Sequence, residues 1–192
     1  EILSSIKEAA QKANIRIVTG DTKVVEKGKG DKIFINTSGI GIIHPKANIH
    51  HKNIEAGDKV IISGNIATHG IAIMSVRKGL EFETTIESDT ANLNHTVEKL
   101  INRFGHAIKF MRDPTRGGVA SVLNEIAELT QLGFELDQKM IPVDEQVEGA
   151  CEMLGLDPLY VANEGLFLAV VKPDIADEFL SLLRNDENGT NA

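Results

Sequence analysis

Apolar residues at Ile2, Ile6, Ala9 and Ala13 recur at helical spacing, so the chain is expected to begin in an amphipathic helix. Ile15 to Val25 is rich in apolar and β-branched residues and predicts a strand. A second strand is predicted from Ile33 to Ile43, and Gly28-Lys29-Gly30-Asp31 between them predicts a hairpin turn. Pro45 to Lys52 is polar and aperiodic, which places a domain boundary there and divides the chain into 1–45 and 46–192.

After the boundary, strand and helix patterns mix. Lys59 to Ser63 predicts a short strand and Thr68 to Lys78 a helix. Leu93, Val97, Leu100, Ile101 and Phe104 form one helical stripe, and Val119, Val122, Leu123, Ile126 and Leu129 form another. Between the stripes, Ala107 to Arg112 predicts a strand. A strand near Phe134, a helix near Val147, a strand from Leu166 to Val171 and a helix from Asp174 to Arg184 complete the pattern. The fold class expected is an α/β or α+β domain of two layers, helix on sheet. The chain opens inside a helix and closes on the polar Asn188-Gly189-Thr190-Asn191-Ala192, as expected of a piece of a longer protein.

Composition narrows the function classes. The 192 residues, 42% of them hydrophobic and 25% charged, suit a soluble globular chain with a sizeable core. A net charge of −8 argues against broad nucleic-acid or anionic-membrane binding, though not against a small anion held by a local Lys or Arg. No run reaches membrane-spanning length and no secretory leader opens the chain, so the cytosol is the expected compartment. Cys151 has no partner cysteine and sits in a helical apolar pattern, which favours a buried inert thiol over a nucleophile. The six histidines lack zinc-ligand spacing. His50-His51 is expected on a surface loop, and His69, at a predicted helix start, is the histidine to watch.

The densest chemistry is Asp113-Pro114-Thr115-Arg116-Gly117-Gly118 between a predicted strand and a predicted helix. Asp113 before proline avoids helical angles, the glycines allow close approach, and the following helix presents free N–H groups. Thr115 can donate a hydroxyl and Arg116 can neutralise phosphate oxygens. The plain alternative is a helix cap and a turn. Gly20-Asp21-Thr22-Lys23 offers a carboxylate for Mg²⁺ and a lysine for phosphate or proton transfer, or else a solvent-facing turn. Asn163-Glu164-Gly165 interrupts an apolar region, so Glu164 is either a general base at a strand mouth or an ordinary surface glutamate.

Met111 to Gly118, continuing through Val119-Ala120-Ser121-Val122-Leu123-Asn124-Glu125-Ile126-Ala127, resembles the signature of the HypE family of hydrogenase maturation factors. Gly20 to Val25 and Leu156 to Gly165 match the same family in the same order. The family lies in the superfamily of aminoimidazole ribonucleotide synthetase, selenophosphate synthetase and thiamin-monophosphate kinase. The resemblance implies that 1–45 ends an N-terminal domain for ATP binding and dimerisation. It implies that 46–192 is most of a C-terminal α/β domain, without the family's terminal Pro-Arg-Ile-Cys. The activity implied is ATP-dependent dehydration of a cysteine-linked carboxamide to a thiocyanate, the source of cyanide for the iron of NiFe hydrogenases. By matching position, Asp113, Thr115, Arg116, Gly117 and Gly118 would hold phosphates and Asp21 would hold Mg²⁺. Lys23 and Glu164 would move protons, and Asn163 would orient ATP or substrate. The partners implied are the carbamoyltransferase HypF, the HypC–HypD scaffold and, at full length, a second copy of the chain. Two alternatives stand beside this one: another ATP-dependent enzyme of the superfamily, such as thiamin-monophosphate kinase, and a non-catalytic assembly module.

Overall fold

The structure is a computed structural model that describes residues 1–30, 33–78 and 86–192. It separates into two compact units, Glu1–Pro45 and Lys46–Ala192.

The first unit begins with α1 (Ile2–Lys12), on which Glu8 and Lys12 pair one turn apart at 2.9 Å. Asn14 takes a left-handed φ of 52°, and the Ile15 N–H returns to the Ala10 carbonyl at 2.9 Å, so the helix ends in a Schellman-type turn. The predicted hairpin is not found: no strand forms over 15–25 or 33–43. The physical reason is packing. Val18, Val24, Ile40 and Ile42 are each at least 86% exposed, so nothing within the unit covers the apolar faces that a strand ladder would have to bury. The chain does turn at Gly28, with φ of 85° and a Lys29 N–H to Glu26 carbonyl bond of 3.0 Å, while Asp31 lies outside the described residues.

The second unit is built on β1 (Lys59–Ile62), β2 (Ile108–Arg112) and β3 (Leu168–Val171) in an antiparallel sheet of order β1-β3-β2. The uniformly apolar run Leu168-Ala169-Val170-Val171 is central and fully buried, because helices cover both faces of the sheet. Leu168 and Val170 point to α4 (Gly118–Thr130), against Val119, Val122, Leu123 and Ile126. Ala169 and Val171 point to α3 (Asn94–Phe104) and α6 (Ala176–Arg184), against Leu100, Ile101, Phe179 and Leu183. Each such fully buried Leu or Phe contributes about 1.5–3 kcal/mol. The unit therefore has a helix layer on each side of the sheet rather than two layers in all.

A third cluster joins α2 (Thr68–Lys78) to α5 (Glu145–Leu154) through Ala67, Ile71, Val147, Ala150 and Val161. Cys151 lies in it, 1% exposed, and burial raises its thiol pKa, as suits an inert core residue. The strand expected near Phe134 is absent among the described residues. Phe134 packs on the α4 side of the core within a loop that has no ladder partner. Among the described residues no helix is long and apolar enough to cross a membrane.

Candidate functional site

The loop that follows β2 runs into α4 without a side-chain cap, so capping does not explain Asp113 or Thr115. Gly117 is the N-cap residue and is left-handed, with φ of 68°, which a glycine adopts at no steric cost. Pro114 is buried, while Asp113, Arg116 and Gly117 are exposed. Among the described residues Arg116 makes no ion pair, whereas its neighbour Arg112 is bound to Glu125. An uncapped helix start beside an uncommitted guanidinium suits an anion.

Two residues of this loop behave differently from expectation. The Thr115 hydroxyl donates to Asp113 Oδ2 at 2.5 Å, so it faces an anion as an acceptor until it rotates. Gly118 permits a close approach, but to the chain's own backbone. A Cβ there would stand 2.3 Å from the Leu159 carbonyl oxygen and 2.7 Å from that of Val161. Its smallness locks α4 against 159–161, since real Cβ atoms do not come that near.

Asn163 explains how the loop is held. Its side chain is fully buried; Oδ1 accepts from the Ala67 N–H at 2.7 Å, and Nδ2 donates to the carbonyls of Pro114 and Val161, each at 3.0 Å. Both amide donors are thus engaged inside the protein, which makes Asn163 a clamp for the loop. Ala67 is itself left-handed, with φ of 72°, and fully buried, a strain held by the surrounding packing.

The clamp brings further polar residues to one place. Immediately after Asn163, the Glu164 N–H donates to both carboxylate oxygens of Asp89 at 3.3 Å. Two residues after Ala67, His69 stands with Nε2 3.9 Å from Glu164 Oε1 and Nδ1 2.8 Å from Ser88 Oγ. Ser88 Oγ lies 2.8 Å from Thr90 Oγ1, and His69 Nδ1 is 3.9 Å from Asp89 Oδ1. Gly165 completes the contact, because a Cβ there would lie 1.5 Å from the Asp89 carbonyl oxygen. Sequence reasoning singled out His69 and Glu164 but missed Ser88, Asp89 and Thr90. Those three read as a polar loop, and nothing in their spacing points to residue 164.

Asp21 and Lys23 lie in the first unit, exposed, with Asp21 Oδ1 accepting from the Thr22 N–H at 2.8 Å. Among the described residues no group of three His, Cys, Asp or Glu is gathered for a metal. One carboxylate with phosphate oxygens is still a normal Mg²⁺ environment, so Asp21 fits the ion as a single protein ligand. A groove of about 950 Å³ runs along β1 and the loop from Leu132 to Ile141, and it contains none of these residues.

Residues 55–190 match the family model for the AIR synthase related protein, C-terminal domain, and residues 1–43 match that for its N-terminal domain. The chain belongs to the AIR synthase related family. Within this family it is 48% identical to carbamoyl dehydratase HypE of Bradyrhizobium diazoefficiens, a match over 100% of the chain and 55% of that protein. The crystal structure of a HypE–HypF complex matches at a TM-score of 0.96 and 50% identity, covering 99% of this chain and 62% of that one. A crystal structure of HypE in complex with ATP matches at 0.94 and 44%, covering 99% and 56%. The chain thus spans about half the length of the curated relative it matches. The AIR synthase related fold agrees with the mixed helix and sheet architecture expected from the sequence.

Proposed function

We propose that this chain is part of an ATP-dependent carbamoyl dehydratase that serves hydrogenase maturation. The observation that carries the proposal is the uncapped start of α4 beside Arg116, in a chain similar to a relative described as bound to ATP. Asp113 to Gly118 would form the phosphate end of the nucleotide site. Gly117 and the first-turn N–H groups of α4 would face the phosphates, and Arg116 would balance their charge. Asp21 would hold Mg²⁺, which neutralises phosphate charge when bound. Residues 1–45 would supply ATP binding and dimerisation, and 46–192 the C-terminal domain.

Conversion of a carboxamide to a nitrile requires that oxygen leave carbon and that two protons leave nitrogen. Transfer of phosphate from ATP to the amide oxygen makes that oxygen a good leaving group. Glu164, at the strand mouth and 44% exposed, is the carboxylate suited to take protons from nitrogen, and Lys23 is proposed as a further proton-transfer residue. Asn163 keeps Glu164 and the phosphate loop in fixed register through Pro114. The partners proposed are HypF, which would place the carbamoyl group on a cysteine, the HypC–HypD scaffold and a second copy of the chain, all in the cytoplasm. The relatives that support this reading are named carbamoyl dehydratases, which favours it over thiamin-monophosphate kinase and over a purely structural module.

The test uses full-length protein carbamoylated on its terminal cysteine. On addition of ATP, the C-terminal peptide should lose the mass of one water. Glu164→Ala should bind ATP normally and leave the peptide unchanged. A wild-type protein that hydrolyses ATP without loss of water from the peptide would refute the proposal.

A further inference from the structure

Two features outside the phosphate loop converge on Glu164. Ala67 is a fully buried alanine in left-handed backbone, and the bond from its N–H to Asn163 sets the direction in which α2 begins. That direction carries His69 up to Glu164, the residue that follows Asn163. The imidazole is fixed on its other side by Ser88 Oγ, which also lies against the Thr90 hydroxyl and accepts from the Thr90 N–H at 3.3 Å. The His69 side chain is 22% exposed and that of Asp89 13%, so the ring is largely enclosed but still reaches solvent. In the tautomer whose Nδ1–H donates to Ser88, Nε2 carries the lone pair and lies 3.9 Å from Glu164 Oε1.

We propose that His69 is the second proton station of the site, taking from Glu164 the proton that Glu164 removes from the substrate nitrogen. The proposal rests on the dehydratase reading above. In that reaction the amide oxygen is first phosphorylated by ATP. An N–H bond then breaks, its proton goes to Glu164, and its electron pair stays on nitrogen. The second N–H bond breaks as the C–O bond breaks: phosphate leaves with the C–O pair and the N–H pair completes the carbon–nitrogen triple bond. One carboxylate holds one proton, so Glu164 must be emptied between the two steps. His69 Nε2, 3.9 Å away, is placed to receive that proton and release it to solvent. His69 acts through Glu164 and is a positioning and relay residue, not one that touches the substrate.

The test compares His69→Ala and His69→Gln in full-length, carbamoylated protein by single-turnover loss of water from the C-terminal peptide, with ATP affinity measured alongside. His69→Gln keeps a hydrogen-bonding group for Ser88 and fills the site but has no basic nitrogen to take up a proton. Both variants should bind ATP as wild type does and lose water at least about 100-fold more slowly. Added imidazole should restore part of the rate to His69→Ala and none to His69→Gln. Wild-type turnover by His69→Gln overturns the proposal whatever His69→Ala does, because it would reduce His69 to packing and hydrogen bonding. Failure of the wild-type protein itself to lose water overturns the dehydratase reading instead.

Discussion

Replacement of Asn163 by Asp changes one atom of the clamp and should convert a pH-indifferent contact into a pH-dependent one. The side chain is fully buried and isosteric with the replacement, so its shape is kept. One carboxyl oxygen can still accept from the Ala67 N–H, where Asn163 Oδ1 now sits at 2.7 Å. The other would replace an amide that donates to two carbonyls, those of Pro114 and Val161, at 3.0 Å. Ionised, it would place a negative charge against two carbonyl oxygens with no water to screen it, so the folded state must keep it protonated. Burial of this kind raises a carboxyl pKa by about 3–5 units above the unfolded value of about 3.9. At pH 7 the proton must be held about three units above that value, which costs about 4 kcal/mol at 1.36 kcal/mol per unit. A protonated acid donates once where the amide donates twice, which adds about 1 kcal/mol.

The sign follows from linkage. The folded pKa is raised, so the variant is least handicapped below the unfolded pKa and loses stability as pH rises from there toward the folded pKa. Asn163→Asp should therefore be destabilised by about 5 kcal/mol at pH 7, a large part of the 5–15 kcal/mol of a typical domain, and by only about 1 kcal/mol at pH 4. Urea unfolding followed by circular dichroism at pH 4, 5, 6 and 7, with wild type measured in parallel, gives the difference directly. A gap that does not vary with pH, or one below about 1 kcal/mol at pH 7, would show that the amide is not enclosed as described.

Gly118→Ala combines a left-handed backbone with a Cβ 2.3 Å from the Leu159 carbonyl oxygen, and should cost about 2–5 kcal/mol in urea unfolding. Gly149→Ala, in the middle of α5 with nothing within 4 Å of the new methyl, should instead gain roughly 0.5–1 kcal/mol, and a loss there would discredit the comparison. The Asp186 carboxyl is pushed up by burial, but bonds from Lys99 and Thr96, with the Asn188 N–H, outweigh this and hold its pKa below the usual value. Its contribution should be complete above the unfolded pKa of about 3.9 and fade as pH falls through the lower folded pKa. Asp186→Asn should accordingly lose roughly 2 kcal/mol at pH 7, with the gap narrowing in acid titrations, and a gap that widens in acid would refute the assignment.

Apart from α1, the elements that periodicity made legible lie in the second unit. Leu93 to Phe104 and Val119 to Leu129 carry helical stripes, and the stripes face the two sides of β3. Leu168 to Val171 was recognisable as a strand because all four residues are apolar. The same uniformity concealed its central place between β1 and β2, which only the buried pattern on both faces reveals. The predicted strands at 15–25 and 33–43 failed for the opposite reason. Their side chains have strand composition, but a strand is defined by a ladder and a covered face, and the first unit supplies neither among the described residues. Phe134 erred likewise: its ring is partly buried against the α4 side of the core, and such a contact does not require its backbone to join a sheet.

At the candidate site, residue chemistry was legible where a side chain acts alone and illegible where it acts through a bond to a distant main chain. The exposed Arg116 beside an uncapped helix was readable from its neighbours in sequence. Gly118 and Asn163 were not, because the main chain that fixes each lies 41 to 96 residues away, at 159–161 for one and at Pro114 and Ala67 for the other. A glycine in a phosphate-type loop and an asparagine beside an acid both look like ligand contacts until those partners are known. Once they are, the division of labour changes. At this site the side chains of Asp113, Arg116 and Glu164 are exposed, while the buried Asn163 fixes the register among them. Asn163 bonds to Pro114 in the phosphate loop and to Ala67 at the start of α2, and it is followed directly by Glu164. A shift of that one amide would therefore move the anion end, the carboxylate and His69 together. In the proposed dehydratase its loss would therefore damage the chemistry even under conditions where the fold survives.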